Sequence, residues 1–413
     1  MADTGATANT AALLAAGGFP IFLRGFSAID SYLGRNAGIG IDVLCGADVA
    51  ELARIFEDLR YPGVDLADAA LDCGEKTWYF HCGESEISVE SADLFTKDDP
   101  SFKFLAFYQD YVNRRFYDPQ GIYPMLRQIS GKNFTSICKS DIDPFPAHKV
   151  WWEDHNPVVE RRRALMDGAM IAAKYFPETG SREIREIAGL LCSLPEGPPP
   201  GIEEQRHLLS GLLGAANPGP GFELLKSGGF IAEFWPELAV LDNVDHAKEF
   251  HPEGNVWTHT LETLRYRKSG AHGTACAAGT DFDLRLSLGL LLHDVGKPLS
   301  ESAGSRRFDG HAELGERQAR RFLERLGFDS PLTRDVCYLV RNHMLPAALP
   351  HLPLIRTGEI MASPLFPALL ELYRCDESSS FKGLDGYYES SAAYQSYLKH
   401  RRNPYRSADG KKY

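Results

Sequence analysis

The 413-residue chain has no CxxC pair, no long apolar run, no internal repeat and no excess of basic charge, and each absence closes off a class of protein. Its eight cysteines (Cys45, Cys73, Cys82, Cys138, Cys192, Cys276, Cys337, Cys375) are scattered, which argues against a disulfide or zinc-ribbon framework and for buried thiols in a reducing compartment. No stretch reaches the roughly 18 apolar residues of a membrane span. The N-terminal MADTGATANTAALLAAGGF has no basic residue ahead of its short apolar run, so neither a secretory signal nor a membrane partner is expected, and a soluble cytoplasmic protein is. A formal charge of −12 speaks against broad electrostatic adhesion to nucleic acid: RNA contact has to be local, and DNA is not an expected partner. With 44% hydrophobic and 24% charged residues, the composition is that of a globular chain long enough for two or three cores.

What is present sorts by periodicity into an α+β, mostly α, protein. Short β-like runs (Ile21–Leu23, Ile39–Leu44, Thr77–His81, Ile87–Val89) alternate with the helical pattern Asp48–Leu59, and this predicts a small mixed α/β head over residues 1–140. A helical neck and body follow over 141–245, with apolar residues at three- and four-residue steps in Val158–Tyr175, Ser181–Ser193, Ile202–Leu213 and Gly221–Lys226. The breaker clusters at 195–201 and 217–221 read as inter-helix loops. An all-α domain is expected over 246–400, with Asn255 capping Val256–Tyr266, Asp283 capping Leu284–His293, and Asp329 or Ser330 with Pro331 opening Leu332–Asn342. A short basic tail, 401–413, is expected to fray. Arg161-Arg162-Arg163 reads as a solvated helix face.

Six residues of the last third carry the chemistry. They are His259 in HPEGNVWTHT, the neighbours His293 and Asp294 in LLLHDVGKP, His311 in DGHAELG, His343 in VRNHM and Asp376 in YRCDESSS. Imidazole and carboxylate hold divalent metals while leaving room for water, and such groups are costly to bury without a partner. One histidine on an apolar helix is more often a hydrogen-bonded core residue than a ligand. Six such groups together point to one or two divalent ions, with Mn, Fe, Ni, Zn, Co and Mg left open, and to a metallo-phosphohydrolase. His293 and Asp294 would diverge by about 100° in mid-helix, so they are expected at a helix end, with Gly296 and Pro298 stopping the helix. Asp294 can bridge two metals or act as a base near one, and Lys297 would hold the remaining phosphate charge, with the pair Arg306-Arg307 reading equally as further phosphate donors or as a solvated loop. The glycines of Lys268–Thr280 lack the lysine placement of a phosphate-binding loop.

In order and spacing, HPEGNVWTHTL, LLLHDVGKP, FDGHAELG, LVRNHM and CDESSS resemble the HD superfamily of metal-dependent phosphohydrolases. The resemblance implies that His259, His293, Asp294 and Asp376 bind a primary metal. It puts His311 and His343 where binuclear members bind a second, and Lys297, in the HDxGK pattern, against substrate phosphate.

Farther forward, NPGPGFELL, GGF and FWPEL, running into HPEG, resemble the helical body of the class II tRNA nucleotidyltransferase and poly(A) polymerase family. That family opens with a strand leading into GGxVRD, then LLG, then DxD. Here the frame reads Gly25-Phe26-Ser27-Ala28-Ile29-Asp30, Tyr32-Leu33-Gly34 and Gly40-Ile41-Asp42, so Phe26, Ile29 and Gly40 replace a glycine, an arginine and the first aspartate, while Asp30 and Asp42 remain. Two-metal nucleotidyl transfer needs closely spaced carboxylates, so the head is expected to be degenerate. Where the family has RRDFTINA this chain reads DPSFKFLA (99–106), and Glu86 reads as an exposed strand glutamate rather than a third carboxylate. The leading expectation is an HD-type phosphohydrolase acting on nucleotides, cyclic phosphates or RNA ends. Nucleotide addition to tRNA (CCA or A) is the alternative, and a non-catalytic RNA-binding module the second alternative.

Overall fold

The computed structural model describes residues 18, 21–32, 40–45, 54, 70–72, 77–82, 85–91, 107–117, 142–143, 160–176, 182–215, 217–244, 254–267, 281–302, 308–380 and 383–402. The protein is α+β and mostly helical, and it divides into two compact units. One comprises Met1–Gly168 with Leu190–Gly197, the other Ala169–Gly189 with Pro198–Tyr413. The expected helix Asp48–Leu59 falls outside the described residues apart from Arg54, which is helical.

The first unit is built on one sheet. Its strands are β1 (Ile21–Arg24), β2 (Gly40–Cys45), β3 (Ala70–Asp72), β4 (Thr77–Cys82), β5 (Ser85–Ser91), β6 (Tyr108–Asp110), β7 (Phe116–Tyr117) and β8 (Ile142–Asp143), in the order β3-β4-β5-β2-β1-β6-β7-β8. β1 lies antiparallel between β2 and β6, while β2 and β5 run parallel with Gly40 opposite Glu86 and Asp42 opposite Ser88. The chain turns from β1 straight into helix α1 (Gly25–Tyr32). Gly25 makes that turn at φ +56, a conformation side-chain-bearing residues rarely adopt, and its amide donates to the Phe107 carbonyl at 2.9 Å. Ile21, Ala28, Ile29, Tyr32, Val43, Leu44 and Phe107 form the core, with Tyr32 edge-on to Phe107 and Phe116.

Helix α2 (Arg161–Tyr175) begins in this unit, and its arginines are not a solvated face. Arg161 and Arg162 both pair with Glu196 at 3.0 Å, Arg162 also donates to the Gly197 carbonyl, and the Arg161 amide binds the Pro195 carbonyl. The Pro/Gly-rich loop leaves its carbonyls without ladder partners, and the start of α2 supplies the donors that satisfy them.

Helix α3 (Arg182–Leu191) leads to α4 (Ile202–Gly214), α5 (Gly219–Ser227), α6 (Phe230–Phe234) and α7 (Pro236–Ala239). α5 starts two residues earlier than its apolar pattern suggests, because Pro220 sits in the first turn, where no amide is needed. The next helices are α8 (Val256–Arg265), α9 (Asp281–Leu292), α10 (Lys297–Ser302), α11 (His311–Arg325), α12 (Ser330–Asn342), α13 (Leu345–Ala348), α14 (Leu354–Met361), α15 (Phe366–Ser378) and α16 (Asp385–Arg402). Asn255 and Asp329 cap α8 and α12 as expected, accepting from Thr258 N at 2.9 Å and Leu332 N at 2.7 Å. Asp283 does not cap α9, which begins at Asp281. α16 runs on to Arg402, two residues into the expected tail, and the rest of that tail lies outside the described residues.

Leu286, Leu288, Leu290, Leu291 and Leu292 of α9 are all buried, so this helix is apolar nearly all round and lies among α8, α12 and α15. The helices on either side of residue 245 share aromatic packing: Phe222 meets Trp257 edge-on, and Trp235 meets Phe322. Among the described cysteines, Cys45, Cys337 and Cys375 are buried and Cys192 is exposed. No helix among the described residues is long and apolar enough to cross a membrane.

Candidate metal centre

The six residues arrive from five places in the chain, four of them helix ends or turns. His259 lies mid-way along α8, and His293 and Asp294 stand in the turn after α9. His311 opens α11, His343 follows the last residue of α12, and Asp376 lies in the last turn of α15. Pro298 does not stop a helix, as the sequence suggested, but starts α10, while Gly296 serves close packing. A Cβ at Gly296 would lie 2.0 Å from the His311 carbonyl oxygen and 2.4 Å from Gly315 N. Only glycine lets the turn bearing His293 and Asp294 press against the start of α11 and bring His311 into reach.

The ligand atoms form two groups that can hold a metal: His259, His293 and Asp376, and Asp294, His311 and His343. Asp294 joins them. Its Oδ2 lies 3.2 Å from His293 Nε2 and 3.7 Å from His259 Nε2, and its Oδ1 lies 3.6 Å from His311 Nε2 and 3.9 Å from His343 Nε2. His259 Nε2 is 3.0 Å from Asp376 Oδ1, and Lys297 Nζ is 2.6 Å from Asp294 Oδ2. Burial alone would raise the pKa of Asp294, but His293, Lys297 and His259 outweigh it and hold this carboxyl well below the usual carboxylate range. Burial and the neighbouring His293 push His343 down to about 4, and burial lowers His311 as well.

The outer nitrogens test whether a cation fits. Nδ1 of His293, His311 and His343 faces the carbonyl three residues back, from Leu290 (2.8 Å), Phe308 (2.7 Å) and Val340 (2.8 Å). A carbonyl only accepts, so each Nδ1 carries the hydrogen and each Nε2 turns a lone pair inward when the ring is neutral. The Nε2 atoms of His311 and His343 then face each other at 3.0 Å, and buried His293 Nε2 has no hydrogen-bond partner. Facing lone pairs repel, and a divalent cation among them removes the repulsion, so the donor set fits one.

Sequence reasoning missed the groups that aim these rings. Phe308, at φ +55, holds its carbonyl on His311 and sets its ring 5.6 Å from Lys297 Nζ. Ser379 takes Nδ1 of His259. Residues 303–307, including Arg306 and Arg307, and the segments 99–106 and 268–280 lie outside the described residues.

The head's counterpart is built differently. Asp42 is gripped by Arg24, whose Nε and a terminal nitrogen reach its two oxygens at 2.9 and 2.7 Å. Its amide binds Ser27 Oγ. Gly40 supplies no carboxylate, Ile29 is in the core, and Asp30 is buried. The side chain of Glu86 lies outside the described residues, though its backbone pairs with Gly40.

Residues 256–367 match the HD domain family. This part of the chain is an HD domain. By sequence the chain is also related to CCA-adding tRNA nucleotidyltransferases. It is 38% identical over 123 residues to a Multifunctional CCA protein of Halorhodospira halophila, covering 30% of this chain and 27% of that protein. It is 31% identical over 170 residues to a CC-adding tRNA nucleotidyltransferase of Thermus thermophilus, covering 40% and 37%. The chain thus aligns with between about a quarter and two fifths of the length of these relatives. Among solved structures, a tRNA-processing enzyme in an apo form is similar over 98% of this chain and 92% of that one, at 15% identity and a TM-score of 0.44.

Proposed function

We propose that the protein is a metal-dependent phosphohydrolase working at its HD domain on nucleotides, cyclic phosphates or RNA ends. The observation that carries this reading is the convergence of four inward-facing imidazoles and two carboxylates, all of them buried except the half-buried Asp376. His259, His293 and Asp376 with one oxygen of Asp294 would hold one divalent cation, and His311 and His343 with the other oxygen a second. Such a cation, when bound, acidifies water and offsets charge on a phosphoryl oxygen. Asp294, held ionised, orients water by accepting its hydrogen bond. Lys297, fixed beside that carboxylate, is placed to donate to a phosphate oxygen, and Arg306 and Arg307 follow in the sequence as further phosphate donors.

A second reading, nucleotide addition to tRNA, is favoured by the relatives, two of which are named for CCA and CC addition. The comparisons support it better than they support hydrolysis, while the residues of this chain's own two sites support the reverse. Gly40 removes a carboxylate from the head, and Arg24 occupies the one that remains.

The test measures metal content alongside hydrolysis of a panel of nucleoside phosphates, 2′,3′-cyclic nucleotides and dinucleoside polyphosphates. Asp294→Asn and His293→Ala are expected to abolish metal-dependent hydrolysis while the circular dichroism spectrum and cooperative melting persist. Near-normal rate with retained metal in either variant would overturn the assignment.

A further inference from the structure

Three of the four histidines are oriented by carbonyls of their own preceding turn: His293 and His343 follow C-terminal helix ends, where carbonyls lack intrahelical donors, and His311 shares the Phe308 carbonyl with its own amide. His259 is different. It sits inside α8, where the carbonyls one turn back are engaged by the helix, so its Nδ1 must find a partner elsewhere. That partner is Ser379 Oγ, 3.1 Å away and 120 positions along the chain. The serine has a single hydroxyl hydrogen, and a 2.6 Å bond to the Asp376 carbonyl claims it. Oγ therefore accepts from His259 Nδ1–H, and Nε2 is turned toward Asp376 Oδ1 and Asp294 Oδ2.

We infer that Ser379 is a positioning residue of the HD site: it fixes the ring orientation and tautomer of His259 and couples that ring to the helix turn that presents Asp376. The inference rests on the metal-site reading for its functional consequence, but not for its geometry. Ser379 is buried, and although it stands in the CDESSS run it is not one of the six ligands that the sequence displays. Its hydroxyl joins two members of one triad, so its loss loosens both together. The second triad, whose rings are held by Phe308 and Val340 carbonyls, has no such dependence.

The test uses the full chain and Zn2+ as the probe. In metal-free wild type, the Nδ1-bound proton of His259 should be protected from solvent exchange by nitrogen-edited NMR, and it should lose that protection in Ser379→Ala. Zn2+ affinity at the site containing His259 should fall by about 10- to 100-fold in Ser379→Ala, the usual cost of losing a group that orients a metal ligand. Affinity at the other site should be unchanged, and Ser379→Thr, which keeps the hydroxyl, should recover most of the loss. An equally protected Nδ1 proton in Ser379→Ala, or a Ser379→Thr variant as weak in Zn2+ as Ser379→Ala, would overturn the inference. Should wild type bind no Zn2+, the metal reading falls, and the exchange measurement still decides the role of Ser379.

Discussion

At the scale of single residues, the site divides each imidazole into an outer nitrogen that is anchored and an inner one that is exposed to the cluster. The inner set was legible in the sequence, because imidazole and carboxylate on apolar stretches need a reason to be buried. The outer set was not, because a backbone carbonyl is supplied by any residue type: Leu290, Phe308 and Val340 carry no mark of what they do. The division also sets what removing one ring does. The Nε2 atoms of His311 and His343 face each other and Asp294 Oδ1, although the His293 ring of the other triad also packs edge-on against His343. His311→Ala or His343→Ala should therefore lower bound metal by about one equivalent if two ions bind, as the ligands of paired metal sites are partitioned this way. Elemental analysis after dialysis reads it directly, and an unchanged stoichiometry would confine both residues to substrate contact or packing.

At the scale of elements, the helices were readable from periodicity and caps, while their contacts were not. Asn255 and Asp329 announce α8 and α12 through side chains that can accept from the first turn. Gly296 shows the limit: in the sequence it looks like a helix stop, yet its role is to let the turn after α9 touch α11, which only the packed structure reveals. Two substitutions of the same kind separate these roles. Gly296→Ala puts a Cβ inside the contact radius of the backbone of His311 and Gly315, neither of which is a flexible side-chain end. It should cost about 3 kcal/mol or more and displace His311 from Asp294. Gly189→Ala, on an exposed stretch of α3 with nothing within 4 Å of the new methyl, should be neutral or stabilise by up to about 1 kcal/mol. Thermal melts of the two variants check both signs. A Gly296→Ala protein as stable as wild type would show that the turn does not rely on this close approach.

At the scale of the whole molecule, the chain combines an HD domain that gathers six candidate ligands with a head that has glycine at position 40. The sequence made the head's differences visible, since Gly40 and Ile29 stand where the family resemblance places a carboxylate and an arginine. What it did not expose is the use made of Asp42. Arg24, a residue of β1 ahead of the turn at Gly25, reaches across to β2 and grips both of its oxygens, so a guanidinium already engages this carboxylate. Ile29, buried in the core of the same unit, offers a triphosphate nothing. Incubation with tRNA lacking its 3′ end, labelled CTP or ATP, and magnesium is accordingly expected to give no measurable extension. Restoring one carboxylate by Gly40→Asp should not rescue it, because Arg24 still holds Asp42. Combining Gly40→Asp with Arg24→Ala would free the pair, yet still leave Ile29 in place of the arginine, so extension by the double variant should stay far below that of the CCA-adding relatives. Robust addition by the unmodified protein would show that another set of head residues, outside this strand-turn-helix frame, carries metal and triphosphate. Nucleotide addition to tRNA would then become the first reading of the protein, with HD-site hydrolysis beside it.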